Sequence, residues 1–306
     1  MTDISVIIVT YNPGITVLQC INSIPVDIKD SPVEIILVDN NSSDGTIDKV
    51  YEAFPRVNTI SSEANLGYGA GNNVGFKHSS GKFITIMNPD VVLRDGALEK
   101  MIAFMMANSD VGIVGPRTYD NTGKTTSTAR KNYTVLRLLG TYLGISQIIK
   151  RIMHGDKSIS RRQFEEPMTV DWLQGSTLMI RREVYEALGG FDENFFLFME
   201  DVDLCARARE LGWRVVYLPS AEVEHIGSES VSRFHEARVR SYQISPLYYY
   251  RKRRAHTSVR ILKAGFIAAL LLKIVFRSFR NLFRNNETRA EKIRVEWKVL
   301  REIIQY

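Results

Sequence analysis

The apolar positions of this 306-residue chain change period along its length. Over the first 115 residues, short continuous apolar runs fall at 4–10, 33–38, 57–60, 83–87 and 111–114. Between them, helical apolar spacing recurs near 14–24, 45–53, 67–79 and 95–108. Strand and helix in this alternation predict a mostly parallel sheet covered by helices on both faces. Residues 116–169 lose the rhythm and fill with Thr, Lys and Arg. It returns as a strand-like run at 170–180 and a helix near 181–188 that breaks at Gly189-Gly190. A further helix runs from about Asp201 to Leu211, and a strand at 214–218 stops at Pro219. From about 233 to the end the spacing is helical. The expected division is an α/β domain over 1–231, with halves 1–115 and 116–231, and a helical extension over 232–306.

Charge sharpens that boundary. Residues 1–231 hold 22 Lys and Arg against 29 Asp and Glu, whereas residues 232–306 hold 18 against 5. An acidic body with a tail of net +13 suggests that the tail meets an anionic surface. On a helical wheel, Lys263, Lys273, Arg277, Arg280 and Arg284 fall within an arc of roughly 100°. Ile267, Leu271, Ile274, Val275 and Phe279 lie on the other side. This pattern predicts a basic amphipathic helix lying in a membrane interface. Tyr248-Tyr249-Tyr250 and Arg251-Lys252-Arg253-Arg254 would anchor it at headgroup level. The alternative is a helix packed on the body or on the second copy of a homodimer. The apolar stretch 261–276 contains two lysines and falls short of the roughly 20 residues of a spanning helix. Nucleic acid as the tail's partner would leave the apolar face without a role. Cys20 and Cys205 sit in helical patterns, and no basic segment precedes the first apolar run. Both features fit a reducing compartment and argue against a disulfide scaffold and a signal peptide.

Ligands of such sheets bind beyond the carboxyl ends of the strands. At those ends stand Thr10-Tyr11-Asn12, Asp39-Asn40-Asn41 and Asn88-Pro89-Asp90. In the run from Val38 to Thr46, Ser43 or Asp44 reads as a helix cap and Gly45 as a turn residue. Asp39 precedes the cap and is left for another task, such as accepting the imide N–H of a uracil or thymine. The glycine-rich stretch from Asn65-Leu66-Gly67 to Gly75 does not match G-x-G-x-x-G in register and follows the third strand. That argues against a dinucleotide-dependent dehydrogenase. Its glycines serve close packing on the sheet, approach of a diphosphate to the backbone, or both. Pro89 holds Asp90 beyond its strand, as a ligand for Mg²⁺ or Mn²⁺ or as a plain turn residue. Glu200, Asp201 and Asp203 open a helix, where acids offset the macrodipole. The apolar approach from Phe195 to Met199 would also desolvate the first acid and suit a general base. Trp172-Leu173-Gln174-Gly175-Ser176 reads as the lining of a sugar pocket or as core, and His225 as a loop residue.

Taken in order over about residues 4–230, these segments resemble family 2 glycosyltransferases of the GT-A fold. Within that family they are most similar to bacterial rhamnosyltransferases of surface polysaccharide assembly. The resemblance implies a GT-A-type, Rossmann-like α/β sheet and inverting, metal-assisted transfer of a sugar, L-rhamnose from dTDP-rhamnose. A UDP- or GDP-sugar donor, or a non-catalytic sugar-nucleotide-binding protein, are the alternatives. A nucleotidyltransferase would carry a basic glycine-rich loop where this chain has Thr10-Tyr11-Asn12-Pro13-Gly14. The resemblance also implies roles. Thr10, Tyr11, Asn12, Asp39, Asn65, Gly67, Asn88 and Asp90 would hold the nucleotide sugar. Asp90 would be the last acid of the family's Asp-x-Asp metal motif, with His225 a further ligand of Mg²⁺ or Mn²⁺. Asp201 would be the base, and Trp172, Gly175, Ser176 and Glu200 would face the acceptor. Asn88 stands where the motif has its first acid, which predicts weaker metal binding. The expected partners are a nucleotide-sugar donor, a glycan or polyprenyl-linked acceptor and an anionic membrane. The expected place is the cytoplasmic face of the inner membrane.

Overall fold

The computed structural model describes residues 4–126, 128–142, 165–227, 235–283 and 287–306. All seven residues of β1 (Ile4–Thr10) are buried, as a strand with helices on both faces requires. After α1 (Thr16–Asn22) and the short pair β2 (Asp27–Ile28) and β3 (Ser31–Pro32) comes β4 (Glu34–Asp39). There follow α2 (Thr46–Ala53), β5 (Asn58–Ser61), α3 (Tyr68–Lys77) and β6 (Phe83–Met87). The order β5-β4-β1-β6 is parallel throughout, with Thr10 opposite Asp39 and Ile8 opposite Met87. The carboxyl ends of all four strands therefore share one edge. An added Cβ at Gly71 of α3 would lie 2.7 Å from Val9 Cγ1. That glycine is set by close helix–sheet packing.

The second half of the sheet is mixed, not mostly parallel. It follows β7 (Val91–Leu93) and α4 (Ala97–Ala107) with β8 (Val111–Asp120), β9 (Thr125–Thr126) and β10 (Ala129–Arg130). After α5 (Val135–Tyr142) come β11 (Met168–Thr169), β12 (Trp172–Leu173), β13 (Thr177–Arg181) and α6 (Arg182–Ala187). Then come α7 (Glu200–Glu210) and β14 (Arg214–His225). The expected run at 170–180 is thus two strands with a turn between them. β13 enters antiparallel between β6 and β8, with Thr177 opposite Met87. The turn before β13 is thereby brought to the end of β6.

β14 does not stop at Pro219. The register shifts between Leu218 and Glu222, where the proline cannot donate, and the strand resumes to His225. Its last residues pair with β7, and His225 lies opposite Val91. The histidine expected in a loop is a strand-end residue beside Asp90.

The chain forms two compact units. One contains the described residues through Asn132, from 165 to Phe196 and from Glu200 to 227. The other contains 133–142, Leu197–Met199 and everything described from 235 onward. The helices of this second unit are α5, α8 (His235–Lys252), α9 (His256–Phe283) and α10 (Glu287–Gln305). They enclose Leu247, Leu262, Phe266, Leu270, Ile274, Val299 and Ile303. Leu197–Met199 is held within it: Ser245 Oγ donates to the Leu197 carbonyl at 2.9 Å, and Phe198 stacks on Tyr242 with ring centroids 4.1 Å apart.

The expected basic stripe of α9 is not its solvent face. Leu262, Phe266, Leu270 and Ile274 pack inward on the same arc as Lys273 and Arg277. The long cationic side chains run along that apolar face and end on partners. Lys273 Nζ lies 3.8 Å above the Tyr142 ring and donates to the Tyr142 carbonyl, and Arg277 pairs with the buried Glu296. Lys263 Nζ donates to the Ile304 carbonyl at 2.9 Å. Arg284 lies outside the described residues. Among those residues no helix is long and apolar enough to cross a membrane.

Candidate active site

The parallel block delivers its side chains to one edge. Beyond β1, Asn12 takes a left-handed backbone (φ 47°); its N–H donates to Ser42 Oγ at 2.8 Å, and its Oδ1 accepts the Ser43 N–H at 2.7 Å. Asp39, at the end of β4, accepts the N–H and the hydroxyl of Ser42. Thr10 is buried, with no hydrogen-bond partner for its hydroxyl among the described residues. The α2 cap is Gly45, and Asp44 Oδ1 accepts the Thr46 N–H at 3.1 Å. Asn40 donates to Asn65 Oδ1 and, at 3.1 Å, to the Gly67 carbonyl, while Asn65 Oδ1 also accepts the Gly67 N–H. Gly67 has φ +87°, and a Cβ there would run into the Phe196 carbonyl, so glycine is required. Tyr11 is half-buried at the same strand end.

Tyr68 continues this line. Its phenol donates to the carbonyl of Gly175, and the N–H of Gly175 donates to Asp201 Oδ2 at 2.9 Å. On the other side of that turn the Ser176 carbonyl accepts the Asn88 N–H at 2.9 Å. Two residues on, Asp90 Oδ2 meets His225 Nε2 at 3.1 Å, and the Ile226 N–H donates to the Asp90 carbonyl at 3.0 Å. The turn 174–176 thus touches both the segment carrying Asp90 and the carboxylate of Asp201. It binds the carboxylate of Asp201 directly and the backbone two residues before Asp90, more than a hundred residues away in sequence.

The acids of α7 differ in their partners. Asp203 is fully buried and bound to Arg207 Nε at 2.6 Å, while Arg207 also donates to the carbonyls of Leu188 and Gly190. It is structural. Asp201 instead accepts two backbone N–H groups, from Gly175 and Val202, at the helix N-terminus. Burial pushes its carboxyl above the usual carboxylate range, against the pull of those N–H groups and of Arg130. Glu200 is 6% exposed, and its Oε2 has no hydrogen-bond partner among the described residues. Burial, with the Asp201 charge added, pushes it well above the ordinary range. The chain reaches these acids through Phe198 and Met199, both left-handed (φ 65° and 74°). Two such non-glycine residues cost on the order of 1 kcal/mol or more each.

Glu200 gives a test with a definite sign. The folded state holds its proton more tightly than the unfolded chain. Its contribution to stability is therefore complete below the unfolded pKa and is lost as pH rises through the folded one. Glu200→Gln should raise the melting temperature at pH 8 by a few degrees, about what 1 kcal/mol gives. The gain should shrink toward pH 4; a gain independent of pH would contradict the assignment.

The residues at Asp90 fit a divalent cation. Asp90 is 3% exposed and faces an imidazole, which together offer an oxygen and a nitrogen donor. Among the described residues no group of three or more His, Cys, Asp or Glu is placed to hold a metal. Mg²⁺ and Mn²⁺ commonly take only one or two protein ligands and complete their shell from substrate phosphates. Trp172 fits its expected role less well. It is 4% exposed, its Nε1–H donates to the Lys131 carbonyl, and it pairs through β10 and β12, so it is core and not an open face for a sugar. Tyr68 has the opposite history: the sequence shows it only as an aromatic between glycines at a helix start, where a phenol can reach a turn across the edge.

A family model described as glycosyl transferase family 2 matches residues 5–189. The chain is 32% identical over 245 residues to an N-acetylglucosaminyl-diphospho-decaprenol L-rhamnosyltransferase of Mycobacterium tuberculosis, covering 76% of this chain and 79% of that protein. It is 26% identical over 236 residues to a dTDP-rhamnosyl transferase of Shigella flexneri, covering 75% and 71%. Among solved structures it resembles a mannosyltransferase of Pyrobaculum calidifontis in complex with GDP-Man and Mn²⁺. That likeness has a TM-score of 0.52 at 14% identity, over 99% of this chain and 86% of that one.

Proposed function

We propose, from the premise that this chain belongs to glycosyl transferase family 2 and is a glycosyltransferase, that it transfers L-rhamnose from dTDP-rhamnose with inversion. The acceptor is a hydroxyl of a polyprenyl-linked glycan in polysaccharide synthesis, met at the cytoplasmic face of the membrane. The observation that carries this reading is the shared turn: Gly175 holds Asp201, and Ser176 holds the segment of Asp90. The names of the mycobacterial and Shigella relatives support the sugar and, for the former, a lipid-linked acceptor.

Asp201 takes the proton of the acceptor hydroxyl. That oxygen forms a bond to the anomeric carbon, the bond from that carbon to the donor phosphate breaks, and its electron pair leaves with the nucleoside diphosphate. The raised pKa of Asp201 gives it more basicity than an ordinary carboxylate at neutral pH. Tyr68 orients it indirectly by holding the Gly175 carbonyl. Asp39 and Asn12, fixed by Ser42 and Ser43, would receive the nucleotide. A divalent cation held by Asp90 and His225 would supply positive charge for the departing diphosphate. Asn88 adds only a neutral amide, so that affinity should be modest.

A thermal-shift panel of nucleotide sugars with and without Mn²⁺, followed by transfer assays, tests the donor. A shift and turnover with dTDP-rhamnose are expected. A response to UDP- or GDP-sugars alone would reassign the donor, and binding without turnover would favour a non-catalytic role.

A further inference from the structure

We propose that the outward face of α9 is a lipid-inserting surface that lies in the plane of an anionic bilayer. The face consists of Ile261, Ala264, Ala268, Leu271, Leu272, Val275, Phe276 and Phe279. Leu272, Val275, Phe276 and Phe279 are 67, 66, 61 and 59% exposed. At 100° per residue all of them fall on the side opposite the buried Leu262, Phe266, Leu270 and Ile274, and no charged residue interrupts them. The stripe runs about 27 Å along the helix at 1.5 Å per residue. Monomeric proteins in water rarely leave such a surface bare.

Charge complementarity selects the occupant. α9 contains no Asp or Glu over its 28 residues, and the tail beyond residue 231 carries a net +13. Exposed cations bracket the apolar stripe, with Lys252, Arg254 and Arg260 before it and Arg280 at its far end. A second copy of this face would bring two acid-free helices and two basic tails together. An anionic bilayer meets both requirements, because acyl chains cover the apolar stripe and headgroups the flanking cations. The inserted side is thus not the one bounded by Lys273 and Arg277, whose charges are spent on Tyr142 and Glu296.

This inference rests on the membrane reading of the tail. Its test uses the full chain with neither donor nor acceptor, so a wrong donor assignment cannot affect it. Flotation with phosphatidylglycerol-containing vesicles should recover the wild-type protein, and neutral phosphatidylcholine vesicles should recover far less. Leu272→Glu with Phe279→Glu should weaken recovery by more than ~10-fold. Unchanged recovery of this variant, or no recovery of the wild type, would overturn the proposal. So would light scattering that shows a wild-type dimer split by the same substitutions, which would give the face to a second copy. A second variant does not depend on the acidic pair folding. Cys20 and Cys205 are buried, so Phe279→Cys carries the accessible thiol for an environment-sensitive dye. Its emission should shift to the blue with anionic vesicles; an unshifted spectrum with vesicle-bound protein would place the contact elsewhere.

Discussion

Asp201→Asn should lower kcat by roughly 10²–10⁴-fold, the range lost with a general base, while KM for the donor stays near the wild-type value. The substitution is nearly isosteric. The side-chain oxygen can still accept the Gly175 N–H, so the turn need not move, while the Val202 N–H loses its acceptor. Removal of a carboxylate that burial destabilises offsets that lost bond, so the melting temperature should change little. The wild-type rate should climb with pH along an acid limb set above the usual carboxylate range, because the base must be ionised and its pKa is raised. Near-wild-type turnover by this variant, measured by product formation, would remove Asp201 from the chemistry.

Asp90→Ala should act on a different quantity. Chelation of divalent cations should abolish wild-type transfer, and Mn²⁺ should restore it. The variant should need a Mn²⁺ concentration at least ~10-fold higher, since even loss of a residue that only supports a metal ligand costs 10–100-fold in affinity. His225→Ala should shift the same curve in the same direction, because its Nε2 lies 3.1 Å from Asp90 Oδ2. A metal activation curve unchanged in both variants would leave the pair as a strand-end hydrogen bond.

The parallel half of the fold is legible in the sequence because its strands are short, apolar and separated by helical spacing. Its predicted edges match β1 and β6 and fall within one or two residues of β4 and β5. The mixed half is not legible. Nothing in the residues from 170 to 180 tells that they split at a turn and return antiparallel beside β6. Pro219 reads as a stop because proline cannot donate to a strand ladder, but here it sits at a shift in register and the strand continues to His225. The site follows the same division. Asp39, Asp90 and Asp201 can be picked out because carboxylates at strand and helix ends are poorly solvated and need a reason. The turn that joins the last two cannot, since its contacts are backbone groups of Gly175 and Ser176. The tail misled for a further reason: a wheel separates charged from apolar residues but does not say which side meets the protein. Lys273 and Arg277 lie inward because Tyr142 and Glu296 wait there, and those partners come from other helices.

Transfer depends on a division of labour between Asp90, which serves the donor, and Asp201, held by the Gly175 turn, which serves the acceptor. Calorimetric titration of dTDP-rhamnose with Mn²⁺ into the two variants measures that division directly. Asp201→Asn should bind the donor with wild-type affinity and heat, and Asp90→Ala should give little or no heat at the same concentrations. Donor binding lost in Asp201→Asn, or kept unchanged in Asp90→Ala, would contradict it.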